Sequence, residues 1–216
     1  MVASSFVLKP LALAALLLSV GSAHAVLTVY TTQASFLAAI NAPGTDTYAN
    51  FSITGSTPSP INRFAGAYAY TASASGSSFY GAGTTANPWL STNTAADTIT
   101  FSGLAGDVRG IGGNFFSSNS NGLFTAGSVT LTATDGSGSS TQTIVGSTVS
   151  SFLGFVSNGP MTSLTLASVQ GASPIWPTAD NLTIGVGVGV VPEPQTYALM
   201  LAGLGMVGFL ARRRRR

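Results

Sequence analysis

The amino-acid sequence predicts an all-β fold, an antiparallel β-sandwich that begins with one short helix. Two observations predict it: short runs rich in Val, Ile, Thr and aromatic residues recur along the chain, and turn-forming Gly, Ser, Asn and Asp separate them. Residues 26–191 provide about 166 residues, which is enough for one substantial core. Many short strands at regular spacing favour a sandwich over a closed barrel or a parallel sheet.

The one segment with a helical pattern lies near the start of this region, at Gln33–Ile40. Thr32 precedes it and is a residue type that caps helix N-termini. Phe36, Leu37 and Ile40 fall on one face of such a helix. We therefore expect a short amphipathic helix here.

The clearest strand is Ser128–Thr134, in which apolar residues alternate with threonines as in a half-buried strand. Asp135-Gly136 follows it directly and predicts a hairpin turn. The side chains expected in the core are Phe115, Leu131, Phe155, Leu164 and Leu182. Strands are predicted at Tyr48–Ile53, Ala67–Thr71, Thr98–Phe101, Arg109–Phe116, Ser128–Thr134, Thr141–Val145, Phe152–Ser157, Ser163–Ala167 and Asn181–Val186.

Charge is scarce and unevenly placed. The chain has 8 Lys and Arg against 6 Asp and Glu, but five of the arginines are its last five residues. Residues 26–191 retain only Arg63 and Arg109 against five aspartates, a net charge of −3. Two arginines cannot form a basic stripe for a phosphate backbone, so a nucleic-acid partner is not expected.

The missing side chains exclude most catalytic chemistry. Residues 26–216 contain no His, Cys or Lys, and their only Glu is Glu193. Catalysis by Ser-His-Asp, Cys-His or Ser-Lys groups and His/Cys zinc sites are therefore unavailable. Asp97 and Asp107 are the nearest carboxylate pair, but no pattern brings them together. We expect a non-enzymatic protein, with an aspartate-based glycoside hydrolase as the less favoured alternative.

Residues 1–25 have the pattern of a secretory signal peptide. Lys9 supplies the positive charge, and Leu11–Val20 is a nearly unbroken apolar run. Ala23 and Ala25 then form the small-x-small cleavage site. The mature chain is therefore expected to begin at Val26.

The C-terminal end has three parts in a fixed order. Pro192-Glu193-Pro194 comes first, and the apolar segment Tyr197–Ala211 follows it. A helix of this segment would be about 22 Å long, against a hydrocarbon core of about 30 Å, so we expect a marginal transmembrane helix. Because basic residues stay cytoplasmic, the domain before it would lie across the membrane. The third part is the membrane stop of Arg212, Arg213, Arg214, Arg215 and Arg216.

These three parts resemble the PEP-CTERM sorting signal. Proteins with this signal come from Gram-negative bacteria, often ones that make extracellular polysaccharide. The resemblance implies processing near Pro192–Pro194 by an exosortase, a membrane-bound, cysteine transpeptidase-like enzyme. It also implies export across the inner membrane, transient anchoring, and release to the outer surface or the extracellular space.

The order of segments also resembles the secreted domains common among PEP-CTERM proteins. The similar segments are the early helix, Ile111–Phe116, Phe152–Ser157 and Ala179–Gly185. This resemblance implies a jelly-roll-like sandwich, and most such domains have no assigned activity.

Two ligand classes remain open. No cofactor is expected, but Asp135 and Asp180 are weak candidates for a structural calcium ion, against simpler roles in turns. Trp89, Trp176 and Tyr80 are candidate glycan contacts, since aromatic faces stack on sugar rings, although these side chains could instead fill the sandwich ends. The main prediction is a surface or matrix protein associated with exopolysaccharide and biofilm, and the alternative is a lectin-like module.

Overall fold

The computed structural model describes residues 26–76, 78–188, 200–201, 203–205 and 212–213. Between residues 26 and 188 it contains the helix α1 (Gln33–Ala38) and sixteen strands. The strands are β1 (Leu27–Tyr30), β2 (Ile40–Asp46), β3 (Ser56–Pro58), β4 (Ile61–Ala65), β5 (Tyr68–Ala74), β6 (Ser78–Tyr80), β7 (Ala82–Thr84), β8 (Asn87–Ser91), β9 (Ile99–Ser102), β10 (Val108–Ser118), β11 (Phe124–Thr125), β12 (Gly127–Asp135), β13 (Ser139–Ser147), β14 (Phe152–Ser157), β15 (Met161–Val169) and β16 (Trp176–Gly187).

The strands form two principal antiparallel sheets, as in a β-sandwich. The larger sheet has the order β1-β14-β10-β16-β8-β7, with β2 also paired to β16 and β11 to β10. The smaller sheet has the order β13-β12-β15-β9-β5-β4. Strands β3 and β6 form a separate two-stranded sheet. The predicted all-β antiparallel architecture is therefore confirmed, whereas the jelly-roll connectivity stays a prediction.

One hydrophobic core draws side chains from both principal sheets. The larger sheet contributes Phe115, Phe155 and Leu182, and the smaller contributes Leu131 and Leu164. All five side chains are fully buried, as the period-two alternation predicts. The expected hairpin after β12 is also present, since β12 pairs with β13 in antiparallel register.

The helix packs on the outer face of the larger sheet. It ends at Ala38, two residues earlier than predicted, because Ile40 begins β2. Thr32 is its N-cap, and the Thr32 hydroxyl accepts a hydrogen bond from the backbone N–H of Ser35 at 3.3 Å. Phe36 is buried in a second cluster with Ile40 and Phe152. A Cβ added at Gly154 would lie 2.5 Å from Phe36, so the helix can approach the sheet only because this position lacks a side chain.

One predicted strand is wrong. Tyr48–Ile53 forms a turn, in which Tyr48 and Asn50 have φ angles of 53° and 65°, outside the extended range of regular strands. The backbone N–H of Phe51 donates to the Tyr48 carbonyl at 2.9 Å and closes the turn. The other eight predicted strands are present; Phe152–Ser157 has the predicted ends, and the ends of the other seven are shifted.

The expected C-terminal transmembrane helix is not confirmed. Among the described residues, no helix has both the length and the apolar character needed to cross a membrane. Most of Tyr197–Ala211 lies outside the described residues.

Candidate functional site: an aromatic cleft at the end of the larger sheet

A cleft of about 280 Å³ brings together two of the three predicted glycan contacts, Tyr80 and Trp176. It lies where β8, β10 and β16 end side by side. Tyr80 is 38% exposed, and Trp176 is half-buried. The other polar residues that line the cleft include Ser91, Asn93, Ser118 and Asn119. None of the lining residues carries an ionisable acid or base other than the Tyr80 phenol.

Trp176 is held in place by its strand and by its indole nitrogen. It begins β16, where it pairs with Ser118 at the end of β10. Its Nε1–H donates to the carbonyl of Asn93 at 3.3 Å. These contacts fix the indole at the cleft, where part of its ring stays accessible.

Tyr80 lies at the cleft because the preceding residue, Phe79, is buried in the core on the other face of the strand. Phe79 is fully buried in the main core and forms an isolated antiparallel bridge with Thr92. Since successive side chains of a strand point to opposite faces, burial of Phe79 leaves Tyr80 at the surface. Tyr80 also pairs with Ser56 in the small β3–β6 sheet.

Buried hydroxyl groups lie behind the cleft surface. The Ser91 Oγ–H donates to the Pro177 carbonyl at 3.0 Å, and the Thr178 Oγ1–H donates to Ser118 Oγ at 2.8 Å. Both serines are almost completely buried. These hydrogen bonds join the ends of β8, β10 and β16 and make the floor of the cleft rigid.

The hairpin between β10 and β11 forms another wall of the cleft. The Asn119 Oδ1 accepts hydrogen bonds from the backbone N–H groups of Asn121 at 2.9 Å and Leu123 at 3.1 Å. Gly122 has a φ of 71°, which suits glycine. The Gly122 carbonyl accepts from the Gly83 N–H at 2.8 Å, so the hairpin is also tied to β7.

Trp89 is not among the residues that line this cleft. Its ring packs edge-on against Phe116, with centroids 4.8 Å apart and an interplanar angle of 87°. Its Nε1 atom is buried without a hydrogen-bond partner among the described residues. Trp89 is half-buried, as Trp176 is, and its edge-on packing favours the alternative in which aromatics fill a sandwich end.

The two aspartates considered for calcium accept hydrogen bonds from other residues of the protein. Asp135 accepts hydrogen bonds from Ser157, from Ser137 and from the Gly138 N–H. Burial alone would raise the pKa of Asp135, but these hydrogen bonds hold it below its ordinary value. Asp180 is buried beside Asn181, and burial raises its pKa. In the described part of the chain, no three His, Cys, Asp or Glu residues group to hold a metal ion.

Asp97 and Asp107 lie beyond opposite ends of β9. Asp97 accepts a hydrogen bond from Ser75 at 3.2 Å. Asp107 lines a separate cleft of about 650 Å³ together with Arg109. Asp97 is not among the residues that line this second cleft.

No pattern in the sequence predicts the buried polar network around Asp46. Asp46 ends β2 and accepts hydrogen bonds from Arg63 of β4 and from the Tyr70 hydroxyl of β5 at 2.7 Å. The guanidinium lies over the Tyr48 ring at 5.1 Å. Burial raises the pKa of Tyr70, and the nearby Asp46 charge raises it further. The only sequence signal was that Arg63 is one of two arginines in this region.

The predicted processing sites lie mostly outside the described residues. This applies to Ala23 and Ala25, to Pro192, Glu193 and Pro194, and to Arg214, Arg215 and Arg216. Arg212 and Arg213 are described and are exposed.

Comparison with known proteins identifies the C-terminal segment. The PEP-CTERM protein-sorting motif matches residues 190–216, which include the Pro-Glu-Pro sequence and the arginine cluster. No curated protein and no solved structure matches the chain. The chain therefore carries a PEP-CTERM sorting motif, and such a motif implies export and processing by an exosortase.

Proposed function

We propose that the exported domain is a non-catalytic, lectin-like surface protein that associates with exopolysaccharide through the aromatic cleft. One observation carries this proposal: Tyr80 and Trp176, which are far apart in sequence, line the same uncharged polar cleft. Aromatic faces stack on pyranose rings, while amides and hydroxyls pair with sugar hydroxyls. The absence of His, Cys and Lys after residue 25 supports a role without catalysis.

Display without a ligand is the second candidate. The outer face of the smaller sheet supports it, because hydroxyls pair there across neighbouring strands. Thr132 pairs with Thr141 at 2.9 Å, and Thr130 pairs with Thr143 at 3.1 Å. Such an uncharged, hydroxyl-covered face suits a protein whose role is to remain soluble and exposed at the cell surface.

Binding of purified exopolysaccharide to the mature exported protein tests the glycan-binding proposal. We expect a change in tryptophan fluorescence on binding, and an affinity that depends little on salt because the cleft is uncharged. Trp176→Ala should lower the affinity at least about fivefold, since aromatic stacking is worth about 1 kcal/mol or more. Phe64→Ala is the matched control, because Phe64 is 67% exposed on β4 and is outside the cleft. Equal loss in both variants, or no binding at millimolar glycan, would leave the display role.

Processing is tested in the native host. Replacement of Pro192-Glu193-Pro194 by alanines should leave the protein tethered to the membrane, because the apolar segment and its arginine stop persist. Intact-mass measurement of the unaltered protein should show that the arginine cluster is gone. A mature form that still ends in Arg216 would contradict cleavage.

A further inference from the structure

The amide of Asn119 has one end fixed by the fold and the other end free. Its Oδ1 accepts the Asn121 and Leu123 N–H groups at 2.9 and 3.1 Å. Because an amide oxygen must face these two donors, the orientation of the side chain is determined and Nδ2 is at the other end. Nδ2 has no hydrogen-bond partner among the described residues, while Asn119 lines the cleft. The cleft therefore has a preorganised hydrogen-bond donor.

The backbone around Asn119 limits its movement. The Asn119 N–H donates to the Leu123 carbonyl at 2.8 Å, and the Asn119 carbonyl accepts from the Gly122 N–H at 2.9 Å. Asn119 is thus held by four hydrogen bonds within one five-residue turn. A donor held in this way loses little conformational entropy when it binds a ligand.

The size of the cleft limits the ligand. Its volume is about 280 Å³, just below the range of about 300–1,000 Å³ for ligand pockets. A space of this size suits one sugar ring better than several consecutive rings. The ligand would be a residue at a chain end or a side branch.

The charge of the cleft limits the ligand further. No Lys or Arg is among the residues that line it. A uronic acid would bring a carboxylate into the cleft without a cationic partner, and part of its hydration would be lost. A neutral sugar has no such penalty.

We infer that the cleft recognises one neutral pyranose residue and that Asn119 Nδ2 donates the hydrogen bond that selects a particular ring hydroxyl. This inference rests on the proposed glycan-binding function. Asn119 is then the specificity-determining residue, and Trp176 and Tyr80 supply the stacking surface.

Asn119→Asp isolates the donor. An aspartate can still accept the Asn121 and Leu123 N–H groups, so the turn and the melting temperature should be retained, but it cannot donate from the other end. We expect the affinity for a neutral methyl hexoside to fall about five- to tenfold, the value of one hydrogen bond. Asn121→Asp is the matched control, because it adds the same charge to the same turn at an exposed residue outside the cleft. Equal affinities in the two variants would overturn the assignment of Asn119.

The same inference can be tested by varying the ligand on the unaltered protein. This test does not require that a variant folds. Methyl glycosides of glucose, galactose and mannose are compared with the corresponding uronic acids and with their monodeoxy derivatives by titration calorimetry. We expect at least one neutral hexoside to bind, its uronic acid to bind about tenfold more weakly, and removal of one hydroxyl to give a comparable loss. A uronic acid that binds as well as its hexoside would overturn the inference. Polysaccharide binding that depends on Trp176, with no binding of any monosaccharide, would also overturn it and leave the proposed function intact.

Discussion

Arg63 forms a two-point ion pair with Asp46 between the two principal sheets. Its Nε donates to Oδ2 at 2.6 Å and its Nη2 donates to Oδ1 at 2.8 Å. Asp46 lies on β2, which pairs with the larger sheet, and Arg63 lies on β4, the edge of the smaller sheet. The Asp46 side chain is 5% exposed and the Arg63 side chain is 19% exposed. The ion pair is therefore a polar contact between the two principal sheets, whose shared core is apolar.

Removal of Arg63 should be costly because it leaves the buried Asp46 charge without its partner. For Arg63→Met we expect the free energy of unfolding to fall by about 3–5 kcal/mol in urea denaturation. Arg109→Met is the control, since among the described residues Arg109 donates to the carbonyls of Gly106 and Val108 and to no carboxylate. A change of about 0.5 kcal/mol is expected there. Similar losses of unfolding free energy in the two variants would show that the other hydrogen bonds of Asp46 stabilise its charge without Arg63.

Phe155→Ala should show the contribution of the central core. Phe155 is fully buried in the cluster shared by both sheets, so its truncation should lower the free energy of unfolding by about 3–5 kcal/mol. Phe64→Ala removes the same group from a side chain that is 67% exposed and should cost less than about 1 kcal/mol. A loss below about 1 kcal/mol for Phe155→Ala would place this side chain at the surface.

Gly154→Ala should disturb the packing of the helix on the larger sheet. The added methyl group would lie 2.5 Å from Phe36 Cδ2, so the helix must shift, and we expect a loss of about 1–3 kcal/mol. At Gly138, an added Cβ would meet no heavy atom within 4 Å. Gly138→Ala should therefore be nearly neutral. Thermal unfolding of both variants compares them, and an unchanged midpoint for Gly154→Ala would mean that the helix adapts freely.

Asp135→Asn should reduce stability in a pH-dependent way. The hydrogen bonds from Ser157, Ser137 and Gly138 favour the ionised carboxylate and lower its pKa in the folded protein, against the opposing effect of burial. Stabilisation by a group with a lowered folded pKa is present above its unfolded pKa, about 3.9, and is lost as the pH falls towards the folded value.

For Asp135→Asn we expect the free energy of unfolding to fall by about 1–3 kcal/mol at pH 7. The difference from wild type should become smaller below about pH 4. Denaturation at several pH values measures it, with Asp107→Asn at an exposed site as the control. A difference between wild type and Asp135→Asn that does not change with pH would contradict the role assigned to the carboxylate.

Local patterns predict much of the fold. The alternation around Leu131, the Asp135-Gly136 turn and the cap at Thr32 each depend on neighbouring residues, and all three are present. Tyr48–Ile53 fails because its aromatic and β-branched composition suits a strand, whereas the positive φ angles of Tyr48 and Asn50 come with a packed arrangement around Asp46. Strand propensity is overridden there by tertiary contacts.

By itself the sequence determined that this protein carries a sorting motif and that its fold is built of antiparallel strands. The sorting motif is contiguous, so its order of residues can be read directly, and strand alternation is local in the same way. Tertiary structure alone decided which polar residues meet. Tyr80 and Trp176 line one cleft, whereas Trp89 packs against Phe116. Arg63 forms an ion pair with Asp46. Strand order and register set all of these long-range contacts. Such pairings depend on how the sheets assemble, and no local pattern in the chain encodes them.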